Sequence, residues 1–223
     1  MKAYRDAVRK RGKTLGFVPT MGYLHDGHAS LIKAAAKECD AVVVSVFVNP
    51  KQFGPKEDLK KYPRDLKRDT KICKACGADV IFAPSADEMY PAGYASSVDV
   101  EGPMTAVLCG KSRPGHFKGV ATVVARLFNI VSPDAAYFGQ KDAQQCAVIK
   151  RMADDLGMDV KIKVLPTVRE KDGLAMSSRN TYLSSSERKE ALNISRSLGR
   201  AKALIGSGQI SAAVIKAEIR LML

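Results

Sequence analysis

The chain has no tryptophan, only three histidines and no apolar run long enough to cross a bilayer. The longest such run, residues 41–48, is interrupted by Ser45 and suits a buried strand, so no membrane partner is expected. The opening residues, Met1-Lys2-Ala3-Tyr4-Arg5-Asp6, hold no apolar stretch of the signal-peptide kind, and a cytoplasmic location is expected. Cysteine is sparse and odd in number, five in 223 residues. Cys73 and Cys76 form one C-x-x-C with no second pair, in a lysine-rich helical stretch, which argues for reduced structural thiols over a metal or redox site. Acidic residues are outnumbered, 23 against 36 Lys and Arg, giving a net charge of +13. The cations are dispersed among the acids and no strand interleaves them with aromatics. No nucleic-acid partner is expected, and a diffuse positive field also suits small phosphate-bearing substrates.

What is present is an alternation. Apolar, strand-like runs at residues 15–18, 41–48, 80–83, 135–138 and 160–164 are separated by helix-like runs at 29–37, 64–76, 120–131 and 143–156. Apolar strands between amphipathic helices predict an α/β fold, a parallel sheet with helices on both faces. The loops rich in Gly and Pro fall after strand ends, where such sheets bind ligands. Beyond Pro166 the character changes to a polar stretch, then to helical patterns at 187–205 and 210–223 broken by Gly206-Ser207-Gly208. Two domains are expected, residues 1–167 and 168–223.

Two of the three histidines stand in His25-Asp26-Gly27-His28, between the glycine-bearing turn that ends at Gly22 and the helix-like run from Ala29. A helix start offers free N–H groups and a partial positive charge, and imidazoles add donors aimed at phosphoryl oxygens. A plainer reading makes Asp26 a helix cap and the histidines turn residues. Three further segments carry polar chemistry after strand ends or in loops. Asn49 and Gln52, in Val48-Asn49-Pro50-Lys51-Gln52-Phe53-Gly54, can donate and accept, as hydroxyls and a carboxylate require; a strand-to-loop turn with solvated amides is the rival reading. Gly139-Gln140-Lys141-Asp142, followed by Gln144 and Gln145, pairs a close-approach glycine with a cation for phosphate and a carboxylate for ribose; capping by Asp142 is the rival reading. Met176-Ser177-Ser178-Arg179 sets two hydroxyls beside a guanidinium that can meet triphosphate oxygens, although taken alone it reads as a polar turn. Arg113-Pro114-Gly115-His116-Phe117-Lys118 holds the third histidine and reads, taken alone, as a solvated basic turn.

In this order and spacing, together with Gly16 to Gly22 and Tyr62-Pro63-Arg64, these segments closely resemble the pantoate–β-alanine ligase (pantothenate synthetase) family, over residues 13–184. The resemblance implies a Rossmann-like domain and a smaller α+β C-terminal lid. It implies ATP and magnesium, the substrates pantoate and β-alanine, a pantoyl-adenylate intermediate, release of AMP and pyrophosphate, and a homodimer. It assigns ATP to Met21, Gly22, Tyr23, Leu24, His25, Asp26, Gly27 and His28, to Gly139, Gln140, Lys141 and Asp142, to Val168 facing adenine, and to Met176, Ser177, Ser178 and Arg179. His25, His28 and Lys141 are the implied catalytic residues, with His28 as proton donor. Gln52 and Gln145 are assigned to pantoate with Asn49 nearby, and Asp69 to the magnesium environment. Gln140 stands where many members carry Glu. The family continues for several dozen residues past the match to Leu223, so a shortened lid is expected. Another H-x-G-H nucleotidyltransferase, with a different acceptor, would need the His25–His28 turn and Lys141 but not the set Asn49, Gln52 and Gln145.

Overall fold

Side chains that alternate along three strands build two cores on opposite faces of one sheet. In β1 (Leu15–Thr20) Phe17 points to one face and Val18 to the other; in β2 (Ala41–Val46) Val43 opposes Val42 and Val44; in β4 (Ala135–Gly139) Ala136 and Phe138 oppose Tyr137. Strands buried on both faces are what a parallel sheet needs, because its crossover helices cover both sides. The computed structural model describes residues 1–223. With β3 (Val80–Phe82) and β5 (Lys161–Leu165), the strands form a five-stranded sheet in the order β3-β2-β1-β4-β5, every pairing parallel. The expected Rossmann-like α/β architecture is thus observed.

Helices α2 (Asp26–Glu38) and α3 (Leu66–Ala75) contribute to the core that holds Val18, Val44 and Tyr137. Cys73 is buried there, and burial pushes its thiol up to about 11, away from reactivity. The other core holds α7 (His116–Val131) and α8 (Ala143–Asp155). α7 is apolar almost all round, from Phe117 through Phe128 to Val131, as a central helix must be. It begins four residues before the apolar pattern at Val120 suggests. The N-terminal α1 (Lys2–Lys10) carries no sequence expectation, since Val8 is its one buried residue. Tertiary contacts hold it: Val8 joins the core, and Arg5 and Arg9 donate to the hydroxyl and carbonyl of Ser132. Three one-turn helices, α4 (Ala86–Met89), α5 (Pro103–Ala106) and α6 (Cys109–Ser112), lie between β3 and α7.

Contacts divide the chain into two compact units, Met1–Pro166 and Thr167–Leu223. The second consists of α9 (Ser185–Gly206), α10 (Ala212–Met222) and a preceding loop whose one β-bridge joins Arg169 to Ala175. That loop is tied by charge: Arg188 donates to Glu170 at 2.7 Å and Asp172 at 2.6 Å. Asn180 donates to Glu170 and to the carbonyl of Ala175. No helix is long and apolar enough to cross a membrane.

Candidate active site

The sheet order creates the crevice. From β1 the chain passes through α2 to β2 on one side, and from β4 through α8 to β5 on the other. The carboxyl ends of β1 and β4 therefore flank the switch point, where open α/β sheets hold ligands. The His25–His28 turn follows β1, and Lys141 and Asp142 follow β4.

The helix after β1 starts at Asp26, three residues before its apolar pattern, because the histidines cap it. Nδ1 of His25 accepts the N–H of Gly27 at 3.1 Å, and Nδ1 of His28 accepts the N–H of His25 at 3.3 Å. This is a reciprocal capping box built from imidazoles, so Asp26 is not the cap. The bonds also fix the tautomers. A ring nitrogen that accepts an N–H carries no proton, so in each neutral ring the proton sits on Nε2, free to donate. Burial lowers the basicity of His25, with Lys141 next in effect. Burial, then His25 and Lys141, brings His28 down to about 3. At neutral pH the site offers two uncharged N–H donors, their rings 4.1 Å apart.

A buried carboxylate shapes the turn itself. Asp69, on α3, accepts the N–H groups of Tyr23 at 2.8 Å and Leu24 at 2.7 Å, one on each oxygen. Tyr23 sits at φ 50, a region that bulky residues rarely adopt, and Asp69 helps hold it there. Gly22 has φ 83, and a Cβ on it would lie 2.8 Å from Val46 and 3.0 Å from Asp69. Asp69, expected near magnesium, is thus engaged in holding the turn. No group of three or more His, Cys, Asp or Glu side chains is assembled that could hold a metal ion. A cavity of about 360 Å³ opens beside the turn, lined by Met21, Gly22, Val48, Leu66 and Asp69 among others. It lies toward β2 and β3 and includes none of His25, His28, Gln52 or Lys141.

The loop after β2 is held from a distance. Glu57 receives a two-pronged bond from Arg113, Nε to Oε1 at 2.6 Å and Nη2 to Oε2 at 2.7 Å, which keeps its carboxyl below the usual range. His116 donates from Nδ1 to the carbonyl of Gln52 at 2.9 Å and accepts Arg113 Nη1 on Nε2 at 3.0 Å, since a carbonyl only accepts and a guanidinium only donates. The segment from Arg113 is therefore a clamp on the Gln52 loop rather than a solvated turn. Gly119 lets α7 cross that loop: a Cβ there would lie 2.0 Å from the Lys51 carbonyl oxygen. Asn49 is buried to 1% exposure and bonds only within the protein, while Gln52 donates Nε2 to the sulfur of Met21 at 3.1 Å. Glu57, Arg113, His116 and Gly119 carried no assignment from sequence; the spacing of Arg113 and His116 marks a motif, but not its partners.

After β4, Gly139 and Gln140 lead to Lys141, whose ammonium lies 3.2 Å from Asp142, and neither side chain is buried. Asp142 stands at the start of α8 without a side-chain capping bond, so the capping reading is not realised. In the first turn of α8, Gln144 is committed to the carbonyls of Met104 and Val107 and the N–H of Cys109, beside half-buried Gln145. In the second unit, the N–H of Met176 donates to the carbonyl of Val168 at 3.0 Å. Ser177 there accepts the N–H of Arg179 and Ser178 is buried.

A sequence profile of the pantoate–β-alanine ligase family matches residues 1–223. The pantothenate synthetase of Moorella thermoacetica is 57% identical over 216 residues, which are 97% of this chain and 76% of that protein. The crystal structure of the Thermus thermophilus enzyme superposes with a TM-score of 0.92 at 54% identity, covering 94% of this chain and 76% of that one. The Francisella tularensis ligase, solved in complex with beta-gamma ATP and beta-alanine, superposes with a TM-score of 0.84 at 38% identity, covering 99% and 83%. With the paired imidazoles, the lysine across the switch point and the amide loop in one fold, the chain belongs to the pantoate–β-alanine ligase family.

Proposed function

We propose that this chain condenses pantoate with β-alanine to give pantothenate, using ATP and releasing AMP and pyrophosphate. The pantoate carboxylate attacks the α-phosphorus, pyrophosphate leaves, and the amine of β-alanine then displaces AMP from the pantoyl adenylate. No nucleophile from the protein is required. The chain's work is to orient two reactants and to meet charge that grows on phosphoryl oxygens.

The observation that carries this reading is the pair of neutral Nε2–H donors at the start of α2, close enough to Lys141 to feel its charge. Donors fixed by backbone bonds need no reorganisation as charge develops, which is where such groups lower a barrier. In this reading His25 and His28 donate to the α-phosphate and Lys141 supplies positive charge. His28 acts first as a hydrogen-bond donor, because a ring whose basicity is so far lowered holds no spare proton at neutral pH. Gly139 lets the nucleotide approach, and Asp142, free of a capping duty, is available to ribose hydroxyls. Gln52 and Gln145 hold pantoate. The roles of Val168 toward adenine and of Met176 to Arg179 toward phosphates rest on the family resemblance. Magnesium, with no ready cluster of protein ligands, would enter on the triphosphate, as is usual for this hard ion, and would neutralise phosphate charge there. A homodimer and a cytoplasmic location complete the proposal.

The test is pantoate-dependent exchange of labelled pyrophosphate into ATP, with magnesium and without β-alanine. Exchange that requires pantoate is expected. Exchange supported instead by an unrelated acid, or none despite ATP binding by calorimetry, would overturn the adenylation step as written.

A further inference from the structure

We infer that Tyr90 is a positioning residue for Gln52: it braces Asn49, whose amide turns Gln52 so that the NH2 end meets pantoate. The inference rests on the proposed role of Gln52 in holding that substrate.

Asn49 lies between Tyr90 and Gln52. Its side chain can make four hydrogen bonds and makes all four inside the protein. Oδ1 accepts the N–H of Lys51 at 3.3 Å and the hydroxyl of Tyr90 at 2.8 Å. Nδ2 donates to the carbonyl of Gly119 at 3.1 Å and to Oε1 of Gln52 at 3.1 Å. The orientation of an amide is often a free choice between O and N, but not here. The Gly119 carbonyl only accepts and the Lys51 N–H only donates, so both ends of Asn49 are dictated by backbone groups. Saturated and buried, Asn49 has no capacity left for a substrate.

Orientation then passes outward. Because Asn49 donates to Oε1, the oxygen of Gln52 is turned toward Asn49 and Nε2 toward Met21. The thioether of Met21 is a weak acceptor that a hydroxyl or carboxylate oxygen of pantoate would readily outcompete. Gln52 therefore presents a donor to an acceptor oxygen of the substrate.

Tyr90 makes the shortest of the bonds that hold Asn49. It lies just past α4, far along the chain from β2, and its ring is itself held. Tyr94 packs edge-on at 5.0 Å, Phe47 at 6.2 Å, and the ammonium of Lys51 sits 4.8 Å from the ring centroid. Burial raises the phenol's pKa, so it remains an O–H donor throughout the working range.

The experiment is a double-mutant cycle in the pyrophosphate-exchange assay, with KM measured for pantoate and for ATP in wild type, Tyr90→Phe, Gln52→Ala and the double variant. Tyr90→Phe keeps the ring and removes one neutral hydrogen bond. It should raise the pantoate KM by roughly three- to tenfold, with less than about a twofold change for ATP. In the Gln52→Ala background the same change should add less than about twofold, because the group being oriented is gone. Equal factors in both backgrounds, or equal rises for both substrates, would show a merely structural tyrosine and overturn the inference. Gln52→Glu supplies an independent check. Its carboxylate can still accept from Asn49 but cannot donate outward, so the pantoate KM should rise at least about tenfold. An unchanged KM there would refute the donor orientation. Wild-type exchange that ignores pantoate would remove the functional reading, and this inference with it.

Discussion

Two loops leave neighbouring strands of the same sheet, yet they are held in opposite ways. In the turn after β1 the histidine cap is local, and a single distant side chain completes the support. His25 and His28 cap their own helix within four residues, and one carboxylate, Asp69, fixes Tyr23 and Leu24. The loop after β2 depends on distant chain: Arg113, His116 and Gly119 from the start of α7, and Tyr90 from beyond β3. The first loop is assigned to phosphate chemistry, which demands donors at fixed positions. The second is assigned to a small hydroxy acid, which demands an amide turned the right way. The contrast teaches that a helix cap can fix two imidazoles with bonds inside one turn, whereas fixing which way an amide points takes a network drawn from several elements.

The largest effect should come from removing a donor in the turn after β1. His28→Ala should lower adenylate formation by roughly 10²–10³, the loss expected for one preorganised charge-stabilising donor. Pyrophosphate exchange reads this directly, and near-normal exchange would end the assignment. Asp69→Asn should come next, now in stability. Asn offers an acceptor to one of the two N–H groups and a donor to the other, so about 3 kcal/mol should be lost in urea unfolding. An unchanged midpoint would mean the turn does not need its carboxylate.

Gly119→Ala probes the second loop in the same terms. The added Cβ forces the Lys51 carbonyl away from α7, at a cost of about 1–3 kcal/mol. The pantoate KM should rise well above the ATP KM. If both rose alike, the two loops would not be separable in function.

The smallest effect is a pH slope. The folded-state pKa of His28 lies far below its unfolded value, so the unfolded chain takes up the proton first as pH falls. The stability contributed by the neutral ring is complete above about pH 6.5 and is lost progressively toward pH 3, at up to about 1.4 kcal/mol per pH unit. His25 and His116 shift in the same direction and add the same sign. Urea unfolding between pH 7.5 and 5 should show the slope, and His28→Ala should flatten it. Identical slopes would mean that His28 titrates normally.

Much of this was legible in the chain. Strand-like apolar runs separated by helical patterns implied the parallel sheet, because strands covered by helices on both faces read as continuous apolar stretches. The ordered motifs, from Met21-Gly22 and the histidine pair to Gly139-Gln140-Lys141-Asp142, pointed to the family that the comparisons show. Boundaries fared less well where the usual signals were absent. α2 starts at Asp26 because imidazoles do the capping, a role that sequence patterns reserve for Ser, Thr, Asp and Asn. α1 escaped notice because it is anchored by one buried valine and by arginine bonds to Ser132.

By itself, then, the sequence determined the order of strands and helices, the chemistry available at each strand end and the family. Those follow from side-chain periodicity and from residue types at short spacing. Tertiary structure alone decided which groups serve which end. It placed Asp69 beneath the histidine turn, set Glu57, Arg113 and His116 around the Gln52 loop, and brought Tyr90 and Gly119 onto Asn49. Each of these pairings spans dozens of residues, and a hydrogen bond between such partners exists only once the sheet has brought the strand ends together.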